Sequence, residues 1–274
     1  MAQTVLITGC SSGIGRATAK AFAKTGWNVI ATMRDPAAWD EPDSDGILAT
    51  ALDVGDPASI EAAVSAGIER FGRIDCLVNN AGQALLSVVE TTPIDTARHV
   101  FDVNLFGPLQ VMQAVLPRFR EQGAGRIVNV SSGSAITPDP FMAIYSASKF
   151  AVEGLTEGMR HELAGPNITL KLVEPGHVPS TNIGVTVMAN SKDIPVPPAY
   201  KSDMDKIMAH FTGTPPADAT DESQVAETIM VAASDDTDTL RFVVGKDAQD
   251  AAHMRRETSE QDYLAWSAKR FDPR

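Results

Sequence analysis

Tyr145 and Lys149 stand four residues apart in the stretch Tyr145-Ser146-Ala147-Ser148-Lys149. On a helix this spacing puts both side chains on one face, a turn apart, so the lysine ammonium can approach the phenol. The chemistry this suits is proton transfer. A free tyrosine with a pKa near ~10 is a poor acid or base at neutral pH, and a neighbouring cation that stabilises the phenolate brings it toward working pH. Upstream, Ser131-Ser132 closes a Val/Ile-rich run. A hydroxyl at the carboxyl end of a strand can hold a carbonyl or alcohol oxygen for reaction.

A second constellation lies near the start of the chain. The run from Thr4 leads into Thr8-Gly9-Cys10-Ser11-Ser12-Gly13-Ile14-Gly15, and Arg16-Ala17-Thr18-Ala19 opens a helical pattern. Glycines at 9, 13 and 15 allow a tight turn and close approach of backbone N–H groups to a pyrophosphate at the positive end of that helix. Strand, glycine turn and helix in this order read as a dinucleotide site. At the end of the next strand the chain reads Thr32-Met33-Arg34-Asp35. Met33 stands where an NAD-selecting acid is expected, and Arg34 beside it can fork onto a 2′-phosphate, which favours NADP. Asp35 keeps NAD open, because a one- or two-residue shift would place it on the ribose. Without a ligand to bind, Arg34 would pair on the surface with Asp35 or Asp40.

Other pieces follow in order: Asn79-Asn80-Ala81-Gly82, then Asn104, and Pro175-Gly176 after a sixth strand. With TGxxxGxG at the glycine turn, Ser132 thirteen residues before Tyr145, and YxxxK, the chain resembles the short-chain dehydrogenase/reductase family over about residues 3 to 245. The resemblance implies a Rossmann-type doubly wound parallel sheet of about seven strands with helices on both faces. It implies catalysis by Asn104, Ser132, Tyr145 and Lys149, with Ser132 preferred over Ser131 for its distance from Tyr145. Lys149 would also bind the nicotinamide ribose, and Asn104 would support a proton path from it toward solvent. The cofactor would run along Gly9, Ser11, Ser12, Gly13, Ile14 and Gly15, then Arg34, Asp53 and Val54 at the adenosine end. Asn80, Ala81 and Gly82 would lie beneath it; for Asn80, support of the turn is as good a reading as direct contact. Pro175, Gly176, Val178 and Ser180 would meet the nicotinamide. The family continues x-Val-x-Thr after the PG pair, whereas this chain has His177-Val178-Pro179-Ser180-Thr181, which leaves Ser180 and Thr181 both open.

The resemblance thus implies an oxidoreductase that moves a hydride between NADP(H) and a carbonyl or secondary alcohol. A turnover-deficient nucleotide sensor or scaffold and an NAD-dependent alcohol dehydrogenase are the alternatives. The intact Ser132, Tyr145 and Lys149 speak against the sensor. A nucleotide-sugar epimerase or dehydratase would show TGxxGxxG and a larger C-terminal domain.

The elements that must position these groups are legible as alternating strand and helix patterns. Strands are expected at Thr4 to Thr8, Asn28 to Thr32, Ile47 to Val54, Ile74 to Asn79, Arg126 to Ser131, Thr169 to Glu174 and Leu240 to Val244. Helices fall at Ile14 to Lys24, Pro57 to Arg70, Pro93 to Arg120, Tyr145 to Leu163 and Ser223 to Ala233. Val, Ile and Leu on both alternating faces of the strands argue for a buried parallel sheet. Between Arg34 and Asp56, seven acidic residues and two prolines read as a solvated loop around the third strand. Residues 177–216 carry much of the chain's proline, with an amphipathic piece near Tyr200 to Phe211, and are expected to form a substrate lid. Phe141, Met142, Val185, Met188, Ile194 and Met208 suggest an apolar pocket for a lipophilic substrate. The tail from 246 to 274, with Tyr263, Leu264 and Trp266, reads as a packed helix at a subunit contact.

Composition limits the alternatives. The 274 residues are 43% hydrophobic, with 23 Lys and Arg against 35 Asp and Glu and a net charge of −12. That sign disfavours nucleic acid and anionic membranes as partners. Cys10 and Cys76 show no ligand or disulfide spacing, so no metal site is expected. His161, His210 and His253 lack a ligand pattern, while His177 could line the site. No apolar run approaches the ~20 residues that cross a bilayer, and no leader pattern opens the chain, so a cytoplasmic location is expected. The family implies a homodimer or homotetramer.

Overall fold

The computed structural model describes residues 2–41, 44–165, 167–181, 183–213 and 219–270, apart from the side chains of Ile183, His210 and Thr212. Of the expected lid, 182 and 214–216 lie outside these residues, as do 271–274 of the tail. Seven parallel strands form one sheet in the order β3-β2-β1-β4-β5-β6-β7. They are β1 (Thr4–Thr8), β2 (Asn28–Met33), β3 (Ile47–Ala51), β4 (Cys76–Asn79), β5 (Gly125–Val130), β6 (Ile168–Pro175) and β7 (Arg241–Val244). The order turns outward in both directions from the β1–β4 pair, which leaves a crevice at their carboxyl ends, where ligands of open α/β sheets bind.

Both faces are covered, as the unbroken apolar strands require. Helix α1 (Gly13–Lys24) and α8 (Glu222–Ser234) pack on one face, with Phe22, Val225 and Ile229 fully buried. On the other lie α2 (Pro57–Phe71), α4 (Gly107–Gln122) and α5 (Ala143–Leu163), with Val64, Met112, Phe119 and Met159. Each such side chain contributes roughly 1.5–3 kcal/mol by leaving water. Asp56 caps α2, accepting the Ala58 N–H at 3.0 Å ahead of Pro57.

The helix expected over Pro93 to Arg120 is divided. Helix α3 (Ile94–Phe101) passes through a widened π segment, Asp102–Phe106, before α4 begins. Pro108 has no N–H to give to the carbonyl four residues back, that of Asn104. The Gly107 N–H instead reaches the Asp102 carbonyl, five residues back, and the wide turn aims Asn104 into the interior, 1% exposed.

Beyond β6 the chain builds α6 (Ile183–Ser191) and α7 (Pro198–Thr212), and after β7 it builds α9 (Lys246–Glu257) and α10 (Glu260–Arg270). Sequence reading anticipates α7 but not α6, and gives the tail one helix where there are two. The tail does not project from the body: α9 buries Ala248 and Ala251, Arg256 meets the buried Glu174, and Arg270 reaches Asp139 at 3.6 Å.

Candidate active site

The glycine turn joins β1 to α1 under tight steric limits. Gly9 and Gly13 adopt φ of +77° and +54°, a region open to glycine and costly for other residues. A Cβ on Gly15 would stand 2.2 Å from the Gly9 carbonyl oxygen, so only glycine lets α1 start so close to the turn. Ser12 occupies the N-cap with extended backbone and no side-chain cap bond. The first N–H groups of α1 are thus available to an anion at the crevice. Thr8 Oγ1 accepts both the Asn80 and Ala81 N–H groups at 3.0 Å, and Asn80 Nδ2 donates to the Thr8 carbonyl at 2.9 Å. Asn80 therefore braces the turn.

Arg16, which sequence reasoning passed over, fastens the turn to the segment after β2. Its guanidinium donates to the Ser11 carbonyl, to the Ala38 carbonyl at 2.8 Å and to Asp40 at 2.6 Å. Asp40 is thereby taken, and Asp35 caps the short turn Pro36–Ala38 by accepting the Ala37 N–H at 3.0 Å. Arg34 is exposed and forms no ion pair among the described residues. Asp53 is exposed and accepts the Gly55 N–H, while Val54 is buried against Gly107. Cys10 is sealed inside, and burial pushes its thiol up to about 12, so the nearby helix terminus does not activate it.

On the far side of the crevice, Ser132 and Tyr145 come together. Burial raises the Tyr145 phenol above its ordinary pKa, and a hydrogen bond from the Ser132 hydroxyl opposes the rise. Ser132 also accepts the Ser134 N–H at 3.1 Å, which fixes its rotamer. Lys149 is 6% exposed and donates to the Val130 carbonyl at 3.0 Å. Burial lowers its pKa to about 8, against the pull of the Glu153 carboxylate one turn on. The ammonium is thereby anchored at the end of β5.

Asn104 clamps the neighbouring segment. It accepts the Gln83 N–H at 2.8 Å and donates to the Gln83 carbonyl and to Ser148 Oγ, both at 2.9 Å. Gly82 separates it from Lys149: a Cβ there would lie 3.3 Å from Asn104 Oδ1 and 3.5 Å from Lys149 Nζ.

The loop after β6 crosses from the serine loop to the glycine turn. Gly176 lies beside Gly133, and Thr181 lies against Gly13, its Cβ 3.4 Å from the place a Gly13 Cβ would occupy. Val178 is 4% exposed. Ser180 points the other way and hydrogen-bonds Glu222 at the start of α8. The Thr181 hydroxyl donates to the Val178 carbonyl at 2.8 Å, so it is the methyl side of Thr181 that faces Gly13.

An apolar cluster closes over Tyr145. Ala84, Leu86, Val88, Met142 and Met204 are buried with it, and Phe141, Val187, Ile207 and Met208 pack on the outside. The expected pocket residues divide: Phe141, Met142 and Met208 are there, whereas Val185 and Met188 are 71% and 51% exposed. Residues 185 and 188 share one face of α6, and its opposite face docks. Val187 joins the cluster, Asn190 donates to the Ala84 carbonyl at 3.0 Å, and Ser191 accepts the Leu86 N–H at 3.2 Å. The His177 ring lies 5.4 Å from that of Phe211 on α7.

A glycine-lined crevice at the switch point of a parallel sheet, with a tyrosine, serine and lysine on its far wall, is the architecture of a Rossmann-type enzyme. Residues 3–192 match the family model for short chain dehydrogenase. An uncharacterized oxidoreductase of Schizosaccharomyces pombe is 33% identical over 83% of this chain and 94% of its own. Human retinol dehydrogenase 8 is 39% identical over 64% of this chain and 59% of its own. Among solved structures, a short-chain dehydrogenase from Streptomyces avermitilis superposes with a TM-score of 0.82 at 32% identity, covering 98% of both chains. Two Burkholderia enzymes, each 24% identical, share the fold. The B. phymatum structure contains NAD (TM-score 0.76, 93% of both chains) and the B. cenocepacia structure NADP (TM-score 0.77, 100% of this chain and 98% of that one). The chain belongs to the short-chain dehydrogenase family and is an oxidoreductase of CH–OH and C=O groups.

Proposed function

We propose that this chain is an NADP(H)-dependent reductase or dehydrogenase of a lipophilic carbonyl or secondary alcohol, with Tyr145 as the proton-transfer residue. The observation that carries the reading is the juxtaposition of the Ser132 and Tyr145 hydroxyls beneath an apolar cluster, beside a turn that only glycine can make. The residues fit a dinucleotide. Gly9, Ser11, Ser12, Gly13, Ile14 and Gly15 would receive the pyrophosphate, Asp53 and Val54 the adenine, and Gly82 and Lys149 the nicotinamide ribose. Pro175, Gly176, Val178 and either Ser180 or Thr181 would meet the nicotinamide; of the last two, Thr181 is the residue that lies against the glycine turn. When bound, the cofactor supplies or accepts the hydride, and its oxidised form adds a positive charge.

The protein's own part is to hold and protonate the substrate oxygen. Ser132 donates a hydrogen bond to it and fixes the reacting carbon. In reduction Tyr145 gives its proton to that oxygen; in oxidation it takes the proton away. The phenolate needs a nearby cation, because burial alone holds the proton on. Lys149 is the cation within one helical turn, and Asn104 keeps the segment between them and the crevice in place through Gln83 and Ser148.

NADP preference is supported by Arg34, exposed at the end of β2, while Asp35 is occupied with its own turn. A lipophilic substrate is supported by the apolar cluster and by the resemblance to a retinol dehydrogenase. A homodimeric or homotetrameric assembly in the cytoplasm completes the reading. Exposed Phe106 and Phe150 at α4 and α5 suit a subunit contact, and no described helix is long and apolar enough to cross a membrane. Parallel titration with NADPH and NADH, followed by a panel of ketones and aldehydes read at the nicotinamide absorbance, tests the reading. Tight NADPH binding with turnover of a bulky apolar carbonyl is expected. Failure to bind either dinucleotide contradicts it.

A further inference from the structure

The C-terminal helices lie outside the stretch that matches the family model, yet the first turn of α9 is wedged between two loops of the crevice. Asp247 is the point of contact. Its Oδ2 accepts the His177 N–H at 2.8 Å, and its Oδ1 stands 2.0 Å from where a Cβ on Gly176 would be. On its other side Gly245, at φ +101°, brings β7 into α9, and a Cβ there would lie 2.9 Å from the same Oδ1. The Gly176 N–H is held by the Val244 carbonyl at 2.8 Å. One residue on, the Ala248 Cβ lies 3.5 Å from the Cβ position of Gly133, which follows Ser132. An acid in the first turn also suits the positive end of α9. The carboxylate thus holds the start of the 176–181 loop, which runs on to Thr181 at the glycine turn, while Ala248 beside it packs on the serine loop.

We propose that Asp247 is a positioning residue for the nicotinamide half of the dinucleotide: by holding the His177 amide and filling the space beside Gly176, it fixes the loop that this half must meet. This rests on the reading that the chain binds a nicotinamide dinucleotide, although the loop's rigidity can be measured without one.

The experiment compares two ligands on the full-length protein, NADPH and the same molecule without its nicotinamide, 2′-phospho-ADP-ribose, together with amide hydrogen exchange of residues 175–181 in the unliganded protein. Asp247→Ala is expected to weaken NADPH about tenfold, the scale of one lost hydrogen bond to a charged acceptor. The fragment's affinity should stay within about twofold, and exchange at 176–178 should speed up. Asp247→Asn, which keeps an acceptor for the His177 N–H, should recover most of the loss. Gly176→Ala, which drives a methyl into the carboxylate from the other side, should likewise speed exchange at 176–178 in the unliganded protein and serves if Asp247→Ala does not fold. Equal weakening of both ligands, or no change in either ligand or in exchange, overturns the proposal. If wild-type protein binds neither ligand, the dinucleotide reading fails; exchange at 176–178 then tests the loop claim alone, faster exchange in Asp247→Ala supporting it and unchanged exchange overturning it.

Discussion

The two walls around Tyr145 are built on different principles. The wall toward the sheet is polar, buried and over-determined: Thr8, Asn80, Asn104, Gln83, Ser148 and Lys149 each answer a specific partner, and glycines stand where a Cβ would collide. The wall toward α6 and α7 is an apolar cluster of Leu86, Met142, Met204 and Met208, joined by van der Waals contact. A hydrogen-bonded wall fails when one member changes, because the partner left behind is buried and unsatisfied. A methionine-lined wall repacks. On the proposed reading, chemistry is fixed on one side of the tyrosine, while the other side selects the substrate.

Substitutions on the polar wall should have the larger effects. Lys149→Met is expected to cut turnover by about 10²–10⁴-fold, the scale of lost acid–base assistance, and to weaken NADPH as well, as steady-state rates and titration would show. Retained turnover would mean that the ammonium serves only β5. In the wild type the same lysine sets a pH limb. With its pKa lowered to about 8, Lys149 is charged below that pH and neutral above it. Carbonyl reduction should therefore fall as pH rises through about 8, as the cation supporting the departing Tyr145 proton is lost. Lys149→Arg, which stays charged, should move that limb upward; a limb unchanged by Arg would assign it elsewhere.

At the edge of the crevice, Arg34→Ala should weaken NADPH by about 1–3 kcal/mol and NADH far less, since a charge-assisted phosphate contact is lost. Equal loss of both would hand selection to Asp35. The apolar wall should give the smallest and most selective effect. Met208→Ala is expected to raise KM for a bulky apolar ketone by about tenfold while leaving a small aldehyde unchanged. Equal effects on both substrates would erase the distinction between the walls.

The same contrast explains what was legible in the sequence. Groups that share one helix face or one turn, such as Tyr145 and Lys149 or the three glycines, are encoded by spacing. So are the strands, whose apolar runs fill both faces; β1 begins and ends where expected, and the others shift by a few residues at their ends. The π segment at Asn104 was missed because periodicity predicts an unbroken helix, though Gly107-Pro108 marks the break. Arg16 and Asp247 were missed because their partners lie 22 to 24 and 70 residues away, contacts that no local pattern records. On α6, hydrophobicity alone points to Val185 and Met188 as pocket residues, whereas the docking face is chosen by Asn190 and Ser191.

On the proposed mechanism Tyr145 carries the proton and the rest of the polar wall only serves it. Tyr145→Phe removes one oxygen and keeps the ring in its cluster, so turnover and NADPH affinity measured on that variant separate chemistry from binding. The account predicts a fall in kcat of about 10²–10⁴-fold with the dissociation constant for NADPH unchanged within about twofold. Near-normal turnover would contradict it.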